Sequence, residues 1–250
     1  LERKGWATNT LVVFAGDNGL ALPGGKGSLH DPGCRVPFLV RWPGMVRPGA
    51  ECDVLLSGED LAPTLLEAAG VPPPPEMSGR SFLAVLRGEK FEPREHVFLM
   101  RGPHGSAPVR TDVPSSAYDQ SRAVRSVRYK LIYNCTPWVR YQPVDSAGGR
   151  AWTAMNAAAE AGRLTPEFIA RYFSTPRPVY ELYDLDEDPA ELHNRAGDPA
   201  LAEVERGLRR ALMERMILDF DPLPLPALDP EPARASSSRR RSIVPAEVPR

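Results

Sequence analysis

The sequence predicts an α/β protein in two structured parts, the second a smaller α+β subdomain with an antiparallel sheet. Three observations carry that reading. Short apolar runs at 11–15 and 36–40 are followed by a helical stripe that starts at Asp60, the strand, loop, strand, helix order of an α/β unit. From about residue 96 the pattern changes to short strands and a covering helix. Proline, at 28 of 250 residues, implies many turns and long connecting loops. The expected boundaries are 1–95 for the α/β part, 96–220 for the α+β subdomain and 221–250 for a disordered tail.

Taken in order, Leu11 to Ala15 is rich in β-branched and aromatic residues, as expected of a buried, parallel strand. Val36 to Val40 is a second such run between Gly33 and Pro43. Asp60 is placed to cap a helix that carries Leu61, Leu65, Leu66 and Ala69 on one face and stops at Gly70. Ser81 to Leu86 reads as a short helix. Val97 to Met100, Ala123 to Val127 and Lys130 to Tyr133 read as strands, the last two hinged at Arg128-Tyr129. Two helical stretches follow, 151–161 and 165–173, the second with Thr165 and Pro166 in the usual starting positions. The run "VYELYDLDEDP" alternates as a half-exposed antiparallel strand does. Asp198-Pro199 then opens a helix whose stripe is Leu201, Val204, Leu208, Leu212 and Met216.

Charge and cysteine usage exclude several classes. The formal net charge is −1, so no global field argues for nucleic acid, and the arginines at 239–241 are too few to change that. No run of 18 apolar residues is present to span a membrane. Cys34, Cys52 and Cys135 are scattered, without metal spacing and odd in number, so they define no disulfide framework. The chain opens without an initiator Met or a signal peptide and enters a strand within ten residues, as though it began inside a domain.

The stretch "TLVVFAGDNGLALPGGKG" holds the chemistry. Asn18-Gly19 alone would suit a hairpin turn. The alternative is that a strand end presents the Asp17 carboxylate and the Asn18 amide oxygen together, both hard donors suited to Ca²⁺ or Mg²⁺. Around Lys26 a phosphate-loop reading fails, because Leu20 stands where its first glycine belongs and Gly27 where its Ser or Thr belongs. What remains is a flexible loop that sets one ammonium beside a metal site, a pair suited to a sulfate or phosphate ester.

Five blocks in order, "TLVVFAGDNG", "GKGSLHDPGCRVPFLVRWPG", "DLAPTLLEAAGV", "GRSFLAVLRG" and "YELYDLDEDPAELHNRA", resemble the C-terminal half of a sulfatase of the alkaline phosphatase superfamily. "HDPG" and "RAVRSVRYKLIYN" are similar to the sulfamidase-like (N-sulfoglucosamine sulfohydrolase) branch. The resemblance implies the C-terminal part of an alkaline-phosphatase-like α/β sandwich, a Ca²⁺ bound in part by Asp17 and Asn18, and Lys26 on the substrate's sulfate. It implies a sulfated carbohydrate or another small sulfate ester as substrate, and a periplasmic or secreted setting. Arg35 is expected to brace the loop.

In the long loop 101–121, His104 and, more weakly, Arg101 are candidates for substrate contact. His30, His96 and His193 are assigned to structure or surface. The family's nucleophile is a formylglycine made from Cys or Ser in a Cys/Ser-x-Pro-x-Arg block. It is expected upstream and not in this chain, because the cysteines stand in "GCRVP", "ECDV" and "NCTPW". A fragment inactive by itself is the resulting expectation. The alternatives are a phosphonate or phosphate monoester hydrolase of the same superfamily, and a sugar-binding remnant without catalysis.

Overall fold

The computed structural model describes residues 1–102 and 119–221. Two antiparallel sheets organise them. The first is a ribbon of β1 (Val12–Ala15) and β2 (Phe38–Arg41), in register from Val12 opposite Arg41 to Ala15 opposite Phe38. The second has four strands in sequence order: β3 (Val97–Arg101), β4 (Ser121–Arg125), β5 (Tyr129–Asn134) and β6 (Tyr180–Asp184).

Six α-helices are present among the described residues. They are α1 (Asp31–Cys34), α2 (Leu61–Ala68), α3 (Leu83–Arg87), α4 (Arg150–Glu160), α5 (Pro166–Phe173) and α6 (Ala202–Leu218). Thr165 and Pro166 open α5 as expected. Asp198 caps the 3₁₀ turn before α6 by accepting from the Ala200 amide.

The second sheet explains itself by period-two alternation. Val124, Leu131 and Leu182 point to one face, where Leu208 and Leu212 of α6 close over them. Each such burial contributes about 1.5–3 kcal/mol. Ala123, Ile132 and Tyr183 point to the other face and are covered by Leu29, from the glycine-rich segment of the first part. That contact layer is one of several ties between the loop carrying Lys26 and the α+β subdomain.

Three expectations need correction. The 11–15 run is neither parallel nor buried: β1 pairs antiparallel with β2, and Phe14 is 62% exposed. An apolar run says that a strand's faces are hydrophobic, not which neighbour pairs with it. In α2 the packed residues are Pro63 and Thr64, while Leu65 is exposed. Asp60 is tied into a capping box with Ser57, accepts from the Arg80 amide and pairs with Arg94, so its bonds fix the helix rotation. The lysine loop is, third, firmly tied, as described next. The candidate His104 and the predicted tail lie outside the described residues.

Candidate functional site

Asp17 and Asn18 follow the C-terminal end of β1. The Gly16 amide donates to the Pro37 carbonyl at 3.0 Å and so prolongs the ribbon pairing by one bond. On the other side, the Gly19 amide donates to the Gly33 carbonyl at 3.1 Å, and a Cβ at Gly19 would strike the Pro32–Gly33 backbone. Only glycine permits that approach. Asp17 and Asn18 are therefore held between two backbone anchors. Asp17 is exposed and Asn18 half-buried, and neither side chain makes a hydrogen bond to another described residue.

The glycines around Lys26 serve close packing rather than freedom. The Gly24 amide donates to Tyr141 Oη at 2.6 Å, Ser28 Oγ to the Gly24 carbonyl at 2.7 Å, and the Lys26 amide to the Leu20 carbonyl at 2.7 Å. Gly24 and Gly27 hold φ of 79° and 78°, and side chains there would meet Tyr172 and Val144. The loop thus presents Lys26 from a rigid seat.

Lys26 Nζ lies 2.6 Å from Asp145 Oδ2. Asp145, by hydrogen bond and charge, raises the Lys26 pKa above the ordinary lysine value, and the charge of Asp17 adds to that effect. Lys26 and Asp17 thus share one electrostatic neighbourhood.

Arg101 reaches the same loop from β3. It is buried at 8% exposure, donates from Nη1 to the Gly27 carbonyl at 2.7 Å, and its Nη2 lies 3.3 Å from Asp119. Arg177 also pairs with Asp119. The Arg101 guanidinium therefore supports the lysine loop from beneath.

Behind the loop lies a charged layer that sequence reasoning missed. Lys130 and Glu191 are both fully buried, and Lys130 Nζ sits 2.5 Å from Asp31 and 2.7 Å from Glu191. Glu191 also accepts from the Asp31 amide at 2.6 Å. Burial would raise the Asp31 carboxyl, but Lys130 and Arg125 hold it below the usual carboxylate range. These residues brace the "HDPG" turn; Arg35, expected to do so, is 77% exposed and only 3.8 Å from Asp31. The signal was a lysine at an inward strand position, in register with Tyr183. His30 is structural as expected, 3.3 Å from Glu181 and edge-on to Tyr183.

The donor chemistry fits part of a Ca²⁺ shell. Two hard oxygen donors stand adjacent at a strand end, unused by other side chains. Among the described residues no group of three His, Cys, Asp or Glu side chains could hold a metal ion. The remaining ligands would come from elsewhere, because Ca²⁺ takes six to eight.

The family described as N-sulphoglucosamine sulphohydrolase, C-terminal, matches residues 25–142, which include Lys26, the "HDPG" turn and the β4–β5 hairpin. An ulvan-active sulfatase of Formosa agariphila is 29% identical over 89% of this chain and 41% of its own length. The chain belongs to the sulfatases. The human N-sulphoglucosamine sulphohydrolase is 29% identical, over 89% of this sulfatase chain and 44% of its own length. This chain accordingly spans about two fifths of the curated relatives it matches. A phosphonate monoester hydrolase from Silicibacter pomeroyi superposes with a TM-score of 0.58 at 20% identity, over 89% of this chain and 38% of that one. That likeness shows the shared fold.

One serine, finally, does meet the bare nucleophile spacing: Ser106-Ala107-Pro108-Val109-Arg110. The expectation that no such block lies in this chain is therefore wrong as stated. It follows the Asp17–Asn18 element in the chain, and it lies outside the described residues.

Proposed function

We propose that this sulfatase chain supplies part of the active site of a hydrolase that cleaves sulfate esters or sulfamates, on a carbohydrate. The observation that carries the reading is the fold-back of one short segment: Asp17 and Asn18 stand at the end of β1, and the Lys26 amide returns to the Leu20 carbonyl two residues past Asn18, at 2.7 Å. A carboxylate and an amide oxygen suit Ca²⁺, and an ammonium presented from the adjoining loop suits an oxyanion. A bound Ca²⁺ would supply positive charge against the ester's oxygens.

Within that arrangement each residue has a task. Lys26 stays protonated and donates to a sulfate oxygen from a loop that Tyr141, Ser28 and Arg101 hold in place. Asp17 and Asn18 orient their oxygens between the Gly16 and Gly19 anchors. His104 is assigned to the sugar, with a smaller effect seen mainly in KM. The formylglycine nucleophile is assigned to residues outside this chain, and the carbohydrate preference draws on the relative named for N-sulphoglucosamine.

The test uses the full-length protein. Asp17→Ala should lose bound Ca²⁺ and nearly all turnover, and wild-type metal content by elemental analysis would overturn the assignment. Lys26→Ala should keep the metal and lower kcat/KM by two to three orders of magnitude, roughly the loss of one oxyanion donor.

A phosphonate monoester hydrolase is the second reading, favoured by the fold shared with such an enzyme. Assay of a phenyl phosphonate monoester beside an N-sulfated glucosamine separates the two.

A further inference from the structure

Lys26 is not an open ammonium waiting for an anion. Its Nζ is 2.6 Å from a carboxylate that comes from 119 residues further along the chain. That carboxylate, Asp145, lies in the loop between β5 and α4, and several features fix it there. Val144 packs against Gly27, Tyr141 accepts from the Gly24 amide, and Tyr141 and Tyr172 meet edge to face beside the loop. Asp145 itself adopts φ of 60°, a left-handed conformation that few non-glycine residues take. The side chain is half exposed, so an incoming anion can reach the pair.

We infer that Asp145 is a specificity-determining residue, an internal counter-anion that competes with the substrate's anionic group for Lys26. The inference rests on the proposed role of Lys26. Its consequence is set by charge. A fixed carboxylate beside the anion position repels a dianion twice as strongly as a monoanion at the same distance. Asp145 therefore favours singly charged groups, such as a sulfate ester, a sulfamate or a phosphonate monoester, over the dianion of a phosphate monoester. The charge of Asp17 also acts on this ammonium, but its carboxylate is assigned to the metal; Asp145 carries no such assignment.

The experiment compares Asp145→Asn with the parent in the full-length protein, at pH 8 where a phosphate monoester is a dianion. The substrates are 4-nitrophenyl sulfate and 4-nitrophenyl phosphate. The ratio of kcat/KM for phosphate to that for sulfate should rise roughly three- to tenfold, the effect of one unit charge about 5 Å away in a mostly aqueous setting. Asp145→Glu, which keeps the charge, should restore the parent ratio. A ratio within twofold of the parent, or a parallel fall for both substrates, would overturn the inference and make Asp145 a structural brace. Lys26→Ala serves as the separating control. If it retains activity on both substrates, the role of Lys26 fails; if it loses activity while the Asp145→Asn ratio stays flat, only the role of Asp145 fails.

Discussion

In the four-stranded sheet Val124, Leu131 and Leu182 are fully buried, while in the two-stranded ribbon Phe14 and Leu39 leave 62% and 65% of their surface open. The two regions carry similar apolar runs. They differ in what the chain brings to them. The second sheet receives α6 on one face and the Leu29 segment on the other. The ribbon keeps an edge-to-face contact between Phe38 and the buried Phe82, but Phe14 and Leu39 stay open, and Trp6, Leu20 and Leu22 are exposed as well. An apolar run states that a surface is suited to being covered; the cover has to be found separately. The candidate site lies on this seam. Asp17 and Asn18 extend from the open ribbon, whereas Lys26 is seated on the closed body.

The sharpest way to break that comparison is to remove one apolar side chain from each region. Leu208→Ala should destabilise the protein by about 2–5 kcal/mol, as a cavity in a closed core does. Leu39→Ala in this 250-residue chain should change stability by less than about 0.5 kcal/mol, as an exposed position does. Urea unfolding followed by tryptophan fluorescence measures both. Equal losses would mean that the ribbon is covered in solution and that the contrast is false.

A smaller effect, in pH, sharpens the description of the closed body. Glu181 is enclosed by His30, Tyr183 and Asn134. Burial pushes its carboxyl up, but the His30, Tyr183 and Asn134 contacts win and bring its pKa down to about 2 from 4.5. A depressed folded-state value gives stability that is present above about pH 4.5 and lost as pH falls toward 2. The loss should be at most about 3 kcal/mol. In Glu181→Gln the acid slope of the unfolding free energy should flatten over that window. An unchanged slope would show that this carboxylate is ordinary.

Much of the fold was legible, for local reasons. The strands of the second sheet and the α6 stripe have strong alternation or helical period; β3, β4 and β5 fell within about two residues of their reading, while β6 stops at Asp184, five residues before the end of the alternating run. The ribbon's pairing was not legible, because residues 12–15 are apolar on both faces and contain no information about the partner. The rotation of α2 was missed because Asp60, read only as a cap, spends its carboxylate on Ser57, Arg80 and Arg94. In the candidate site, the proposed residues Asp17, Asn18 and Lys26 all come from one short stretch. Asp145, Lys130 and Glu191 could not, because each acts across roughly 100 residues or more of chain, and single-sequence patterns are local. The Ser106 block is local and legible in the sequence, as Ser-Ala-Pro-Val-Arg at 106–110.

On the proposed reading, this chain holds metal ligands and an anion contact but depends on a nucleophile from outside it. The direct measurement is turnover by the purified 250-residue chain, supplied with Ca²⁺, on 4-nitrophenyl sulfate and N-sulfated glucosamine, with Asp17→Ala and Ser106→Ala as controls. No hydrolysis above Asp17→Ala is expected, and activity should be regained when a segment carrying a Cys/Ser-x-Pro-x-Arg block is added in trans. Hydrolysis by the chain alone that disappears in Ser106→Ala would contradict that reading, and would place the nucleophile in the chain itself.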